Sequence, residues 1–189
     1  MIGPSQRLLK GFVLATALFA VQPAWAQDAF PRFEVFGGFS YLPAGADDFP
    51  RQNSNGFQSG LTANVNRWFG VVADLGGQYS SASWDRGPGV PALTTNTSVY
   101  QYLFGPRFTM RADWISLFAH ALVGGASGNS GIGGFSDSGF TLGSGGGVDI
   151  GISRRLAARV QFDWLGSFQD MIEDNTRMGI GMVVRLGGT

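Results

Sequence analysis

The chain has 189 residues, enough for one domain, with a formal net charge of zero, no cysteine and only 14% charged residues, yet 30 glycines and 16 phenylalanines. The lack of cysteine excludes disulfides, thiolate metal sites and cysteine nucleophiles, and the balanced charge gives no footing for nucleic-acid binding. Apolar residues are interspersed with Gly, Ser, Asn and Gln, for a mean hydropathy of +0.07, which excludes an ordinary helical membrane protein and suggests membrane strands.

Residues 1–26 have the three parts of a secretory signal: Arg7 and Lys10 as a positive start, the apolar run Gly11–Val21, and an Ala24-Trp25-Ala26 cleavage site. The apolar run is shorter than the roughly 18 residues a spanning helix needs, so cleavage after Ala26 and export through the Sec pathway are expected. Lys10 is the only lysine, and without Arg7 and Lys10 the 13 basic residues fall to 11 against 13 acidic ones. The mature domain, 27–189, contains no stretch able to cross a membrane as a helix. It is either soluble in the periplasm or spans as strands.

Hydrophobic period decides for strands. Phe33, Val35, Phe39 and Tyr41 alternate with Glu34, Gly38 and Ser40 in the first. Phe57, Leu61, Ala63 and Val65 alternate with Gln58, Thr62 and Asn64 in the second, and Val71, Ala73, Leu75 and Tyr79 with Asp74, Gly76 and Gln78 in the third. The fourth sets Tyr100, Tyr102, Phe104 and Phe108 against Gln101, Gly105 and Arg107. In the fifth, Leu117, Ala119, Ala121 and Val123 oppose Ser116 and His120; in the sixth, Phe140, Leu142, Val148 and Ile150 oppose Thr141, Gly143, Gly145, Gly147 and Asp149. The seventh opposes Leu156, Ala158, Val160, Phe162 and Trp164 to Arg159, Gln161 and Asp163, and the eighth Met178, Ile180, Met182, Val184 and Leu186 to Arg177, Gly179, Gly181 and Arg185. Each reads as about 10 or 11 residues, the length of a tilted membrane strand.

Short connections at Asn66-Arg67-Trp68, Thr109–Asp113 and Ile152–Arg155 alternate with longer polar ones at Pro43–Asn55, Ser80–Asn96, Ala126–Asp137 and Gly166–Asn175. That is the arrangement of a transmembrane barrel with short periplasmic turns and long outer loops. Every strand charge falls on the polar face, as expected when an Arg turned to lipid at mid-depth costs about 2–4 kcal/mol. Alternation alone does not say which face is inside, and a soluble lipocalin-type barrel would turn the apolar face inward. The Gly-rich charged face, the leader and the aromatic positions favour the membrane orientation: Phe33, Trp68, Phe69, Phe108 and Trp114 gather at one rim, and Tyr41, Phe57, Tyr79, Tyr100, Phe140 and Trp164 at the other. The expected fold is all-β, an eight-stranded antiparallel up-and-down transmembrane β-barrel.

Several stretches resemble the outer-membrane-protein β-barrel family, relatives of the OmpA transmembrane domain and of OmpX: Val35-Phe36-Gly37-Gly38-Phe39-Ser40-Tyr41-Leu42, Asn64-Val65-Asn66-Arg67-Trp68-Phe69-Gly70-Val71, Leu75-Gly76-Gly77-Gln78-Tyr79 and Leu103-Phe104-Gly105-Pro106-Arg107-Phe108. The resemblance covers essentially all of 27–189. It implies an outer-membrane location in a Gram-negative-type cell, contact with outer-membrane lipid and lipopolysaccharide, periplasmic chaperones and insertion by the barrel-assembly machinery, and variable outer loops. The family's last strand usually ends on an aromatic residue; here it ends on Leu186, with Gly-Gly-Thr beyond.

No catalytic, cofactor or metal site is expected. The polar face gathers Glu34, Asp74, Asp149 and Asp163 with Arg107, Arg159, Arg177, Arg185 and His120, and in a narrow lumen these charges must pair to offset desolvation. A structural ion-pair network filling the lumen is the leading reading, ahead of a narrow pore, because eight strands leave room for little more than side chains. Ser116 precedes His120 by four positions on one face, about 13 Å at roughly 3.3 Å per residue, so the two form no dyad. Some related small barrels are lipid A deacylases with a lipid-facing His and Ser close together, a pairing this sequence lacks. Asp47, Asp48, Asn53 and Asn55 lack EF-hand spacing, and Gly143–Gly147 lacks the GK[ST] of a phosphate loop; its glycines are read as room for bulky lumen side chains. Two functions remain: an envelope-integrity or surface-interaction role, adhesin-like, with a possible extracellular ligand at the outer loops, or a small diffusion pore.

Overall fold

A computed structural model describes residues 30–43, 53–84, 93–130, 136–167 and 175–188. The leader, its cleavage site, Asp47 and Asp48 lie outside those residues. Eight strands run in chain order: β1 (Phe33–Leu42), β2 (Ser54–Asn64), β3 (Phe69–Trp84), β4 (Leu93–Arg111), β5 (Ile115–Ser130), β6 (Ser136–Gly151), β7 (Leu156–Ser167) and β8 (Asn175–Leu186). Each pairs antiparallel with the next, and β1 closes on β8 from Phe33↔Leu186 to Tyr41↔Met178. The expected fold is therefore observed, an eight-stranded up-and-down barrel.

The charged face is inside. Arg107 is 1% exposed and Arg177 fully covered, while Leu75 and Phe104 on the outer face are 55% and 59% exposed. This inverts a soluble globule and removes the lipocalin-type alternative. The interior also holds apolar groups that point with the charges. Val72, Leu103, Leu122 and Leu165 make one buried cluster, and Phe36, Ala157 and Val183 another.

Two of the three short turns close on a side-chain cap. Asn66 Oδ1 accepts hydrogen bonds from the backbone N–H groups of Trp68 and Phe69, both at 2.8 Å, and Ser153 Oγ accepts from those of Arg155 and Leu156. Such Asx and ST turns let a chain reverse without further residues. Beyond Leu186, Gly187 and Gly188 take φ of 66° and 110°, which L side chains rarely adopt, and the Gly187 carbonyl accepts from the Arg32 N–H.

Strand length departs from the sequence reading. β1, β2, β7 and β8 have 10 to 12 residues, but β3, β5 and β6 have 16 and β4 has 19. Ser80–Trp84, Leu93–Asn96, Ala126–Ser130 and Ser136–Asp137, read as loop, continue the ladders through Ser81↔Asn96 and Asn129↔Ser136. Thr109–Arg111, read as turn, continues β4. Ser, Thr, Asn and Gly carry a turn signature in sequence, but a paired neighbour satisfies their backbone groups as well as it does those of valine.

Candidate functional site

The lumen is where chemistry-bearing side chains converge. Inward residues from all eight strands meet there because the pleat sends every second side chain to one face. They form two ionic clusters.

In the cluster nearer the short turns, Arg159 of β7 grips Asp149 of β6 with both arms of its fork, Nε to Oδ1 at 2.6 Å and Nη2 to Oδ2 at 2.8 Å. Arg107 Nη2 lies 3.4 Å from both Glu34 and Asp149, and its Nη1 donates to Thr62 Oγ1 at 3.1 Å. Glu34 also receives Arg111 Nη2 at 2.8 Å and Arg159 Nη2 at 3.5 Å. Phe118 lies against two of these guanidinium groups, 3.8 Å from Arg107 and 4.5 Å from Arg159. An aromatic face attracts a desolvated cation, which offsets the repulsion between the two arginines.

In the other cluster, Arg177 of β8 reaches Asp163 Oδ2 with Nε at 3.1 Å and Nη2 at 2.7 Å. The same Nη2 lies 2.8 Å from Asp74 Oδ1, a charge contact without hydrogen-bond alignment. Gln58 donates to Asp74 at 2.7 Å, Gln161 to Asp163 at 2.9 Å, and Gln101 accepts from Arg177 at 3.2 Å. His120 Nε2 meets Asp163 Oδ1 at 2.8 Å. This His–Asp pair has the form of part of a catalytic triad, but no hydroxyl among the described residues hydrogen-bonds the ring, and the pair is sealed inside the barrel. No group of three His, Asp or Glu among the described residues is arranged to hold a metal ion.

The lumen glycines make room for these groups. A Cβ at Gly145 would stand 2.2 Å from Asp163 Oδ1, one at Gly147 2.8 Å from the Phe118 ring, and one at Gly76 3.0 Å from Arg177 Nη1.

Eight of the nine expected lumen residues thus enter the two clusters. Arg185 does not: it lies on the same face, farther toward the short turns, and no ion pair among the described residues includes it. Arg111 joins instead; it was hidden in the sequence because 109–111 read as a turn. The glutamines 58, 101 and 161 are visible in the sequence as alternating residues of the polar face, without any indication that Gln58 and Gln161 bind the acids and Gln101 binds Arg177.

Set beside known proteins, residues 12–185 match the model of the outer membrane protein beta-barrel domain. The chain belongs to that family. Three solved barrels share its architecture. Ail, the attachment invasion locus protein of Yersinia pestis, solved with the heparin analogue sucrose octasulfate, is 14% identical at a TM-score of 0.60, over 83% of this chain and 99% of Ail. Neisserial surface protein A is 10% identical at 0.59, over 82% and 96%. The N-terminal barrel of Pseudomonas aeruginosa OprF is 9% identical at 0.52, over 82% and 97%. No curated protein matches the chain in sequence. Membership makes this barrel an outer-membrane protein of the Gram-negative type. The exposed apolar belt is then its lipid face, with Trp68 stacked on Phe108 at 6.3 Å at one rim and Tyr79 edge-on to Tyr100 at 6.1 Å at the other.

Proposed function

We propose that this outer-membrane barrel is a closed anchor whose function lies outside the lumen, in envelope integrity or adhesin-like surface interaction through the long-loop end. The observation that carries this reading is the occlusion of the lumen: guanidinium groups 0–1% exposed bridge acids from β1, β3, β6 and β7 across the barrel. Ions would have to break these pairs to pass. A buried ion pair that loses one partner leaves a costly uncompensated charge, so the pairs hold the lumen shut, and neither catalysis nor diffusion is its task.

In this reading the 26-residue leader is removed after Ala26 following Sec export, periplasmic chaperones deliver the chain, and the barrel-assembly machinery inserts it among phospholipid and lipopolysaccharide with the short turns in the periplasm. No cofactor takes part. Ail was solved with a heparin analogue, which supports looking for an extracellular ligand at the loop end.

The test is conductance of the refolded mature protein in planar bilayers. Wild type is expected to be silent, and Arg107→Ala and Arg159→Ala to leak. Steady wild-type channels of defined size would overturn the closed barrel and put the diffusion pore in its place.

A further inference from the structure

The short-turn end opens into a vestibule of about 1410 Å³. Among the described residues its charged lining is Arg67, Arg111, Arg154, Arg155, Arg185 and Asp113, five positive against one negative, a net of +4. The layer beneath does not neutralise them, because Glu34 and Asp149 are already matched by Arg107 and Arg159. The vestibule therefore concentrates positive potential between low-dielectric walls.

Arg185 shows that this charge is unspent. Its cross-strand neighbour is Glu34, the natural acid for it, but Glu34 is taken by Arg107, Arg111 and Arg159 within 3.5 Å. The Arg185 backbone N–H donates to the Arg155 carbonyl at 2.8 Å, so two arginines meet where the turn before β7 lies against β8, and no ion pair among the described residues includes either. Arg111 is half committed, with Nη2 on Glu34 and Nη1 on the Arg67 carbonyl. Like charges gathered this way favour a bridging anion. Around the same end Trp68, Phe69, Phe108 and Trp114 stand exposed, the aromatic belt that sits at headgroup level.

We propose that the short-turn mouth is an anion site that takes a phosphate group, with Arg185 and Arg155 as its main ligands and Arg67 and Arg154 at its rim. The non-bridging oxygens of a phosphate group, two or more in either a phosphodiester or a free phosphate, can accept from more than one guanidinium fork at once. The phosphate has two sources, a soluble phosphate or the headgroup of an acidic phospholipid, and one experiment separates them.

The full mature chain, refolded in phosphatidylcholine nanodiscs, is titrated with inorganic phosphate by calorimetry; in parallel, discs containing phosphatidylglycerol are analysed by native mass spectrometry for lipid held by the protein. Arginine-dependent binding is expected in at least one arm: saturable, weakened about tenfold or more in Arg185→Gln and in Arg155→Gln, the loss of one charge-assisted hydrogen bond, and largely kept in Arg185→Lys. Binding in the phosphate arm alone identifies a soluble ligand, and retained phosphatidylglycerol identifies the headgroup. No binding in either arm, or binding indifferent to both glutamine variants, overturns the site. Both positions lie outside the two ionic clusters, so the variants are expected to fold, and the heat-dependent gel shift of a closed barrel checks that they do.

Discussion

Arg177 sits fully covered between two aspartates, Asp163 on its neighbouring strand and Asp74 from across the barrel. Removing it takes the guanidinium from both buried acids. Breaking a buried pair costs about 3–5 kcal/mol, so Arg177→Ala is expected to lose about that much, read as a lower urea midpoint for unfolding from phospholipid vesicles. Gly145→Ala tests the steric side of the same network. Its Cβ would meet Asp163 Oδ1 at 2.2 Å and the Phe162 carbonyl at 2.5 Å; overpacking costs typically about 1–3 kcal/mol, and a drop in midpoint of that order is the expected result. Side-chain parity put Glu34, Asp74, Asp149 and Asp163 on one face with Arg107, Arg159 and Arg177, so the membership of these residues was legible in the sequence. Which acid meets which base was not. Glu34 and Arg111 lie 77 positions apart, and only the tilt and stagger of a closed barrel bring them to 2.8 Å.

Strand length shows where reading by composition stops. The apolar belt is bounded on β3 by Phe69 and Tyr79, a separation of ten residue steps that spans about 33 Å along a strand and roughly 25 Å along the normal of a tilted one. The alternation of Val71, Ala73 and Leu75 made this span plain. Ser80–Trp84 lies past it, where no lipid demands apolar residues, and the pattern lapsed although the ladder with β4 did not. A pair of substitutions locates the boundary. Leu75→Arg, on the lipid face, is expected to cost about 2–4 kcal/mol and Ser81→Arg, above the belt, about 0–1 kcal/mol, compared by equilibrium unfolding in vesicles. Equal costs would mean that the belt extends along the whole of β3. The rims were legible from the positions of Trp68, Tyr79 and Tyr100, because amphipathic rings are stable only where apolar and wet surroundings meet.

At the scale of the molecule, closure was readable because eight alternating segments with alternating loop lengths leave no free edge once β1 meets β8. The occlusion of the lumen needed the structure, since the sequence offered inward charges without their geometry. The Arg107→Ala and Arg159→Ala leaks expected in bilayers depend on that geometry and are additive only if each pair blocks separately; both arginines contact Glu34 and Asp149, so the double variant is expected to conduct more than the sum of the two singles. The seam where the first strand meets the last also dictates an order of events. Arg177 arrives on β8, the final strand to be made, and reaches Asp163 and Asp74, while Glu34 on β1 finds Arg107, Arg111 and Arg159 far downstream. The contacts of Glu34 with Arg107, Arg111 and Arg159 and that of Arg177 with Asp74 link strands that are not neighbours, and they need the sheet to curl until its ends meet. Two of the pairs, Arg159–Asp149 and Arg177–Asp163, join neighbouring strands and belong to their own hairpins, so the closing seam adds to them only the contacts that cross the lumen.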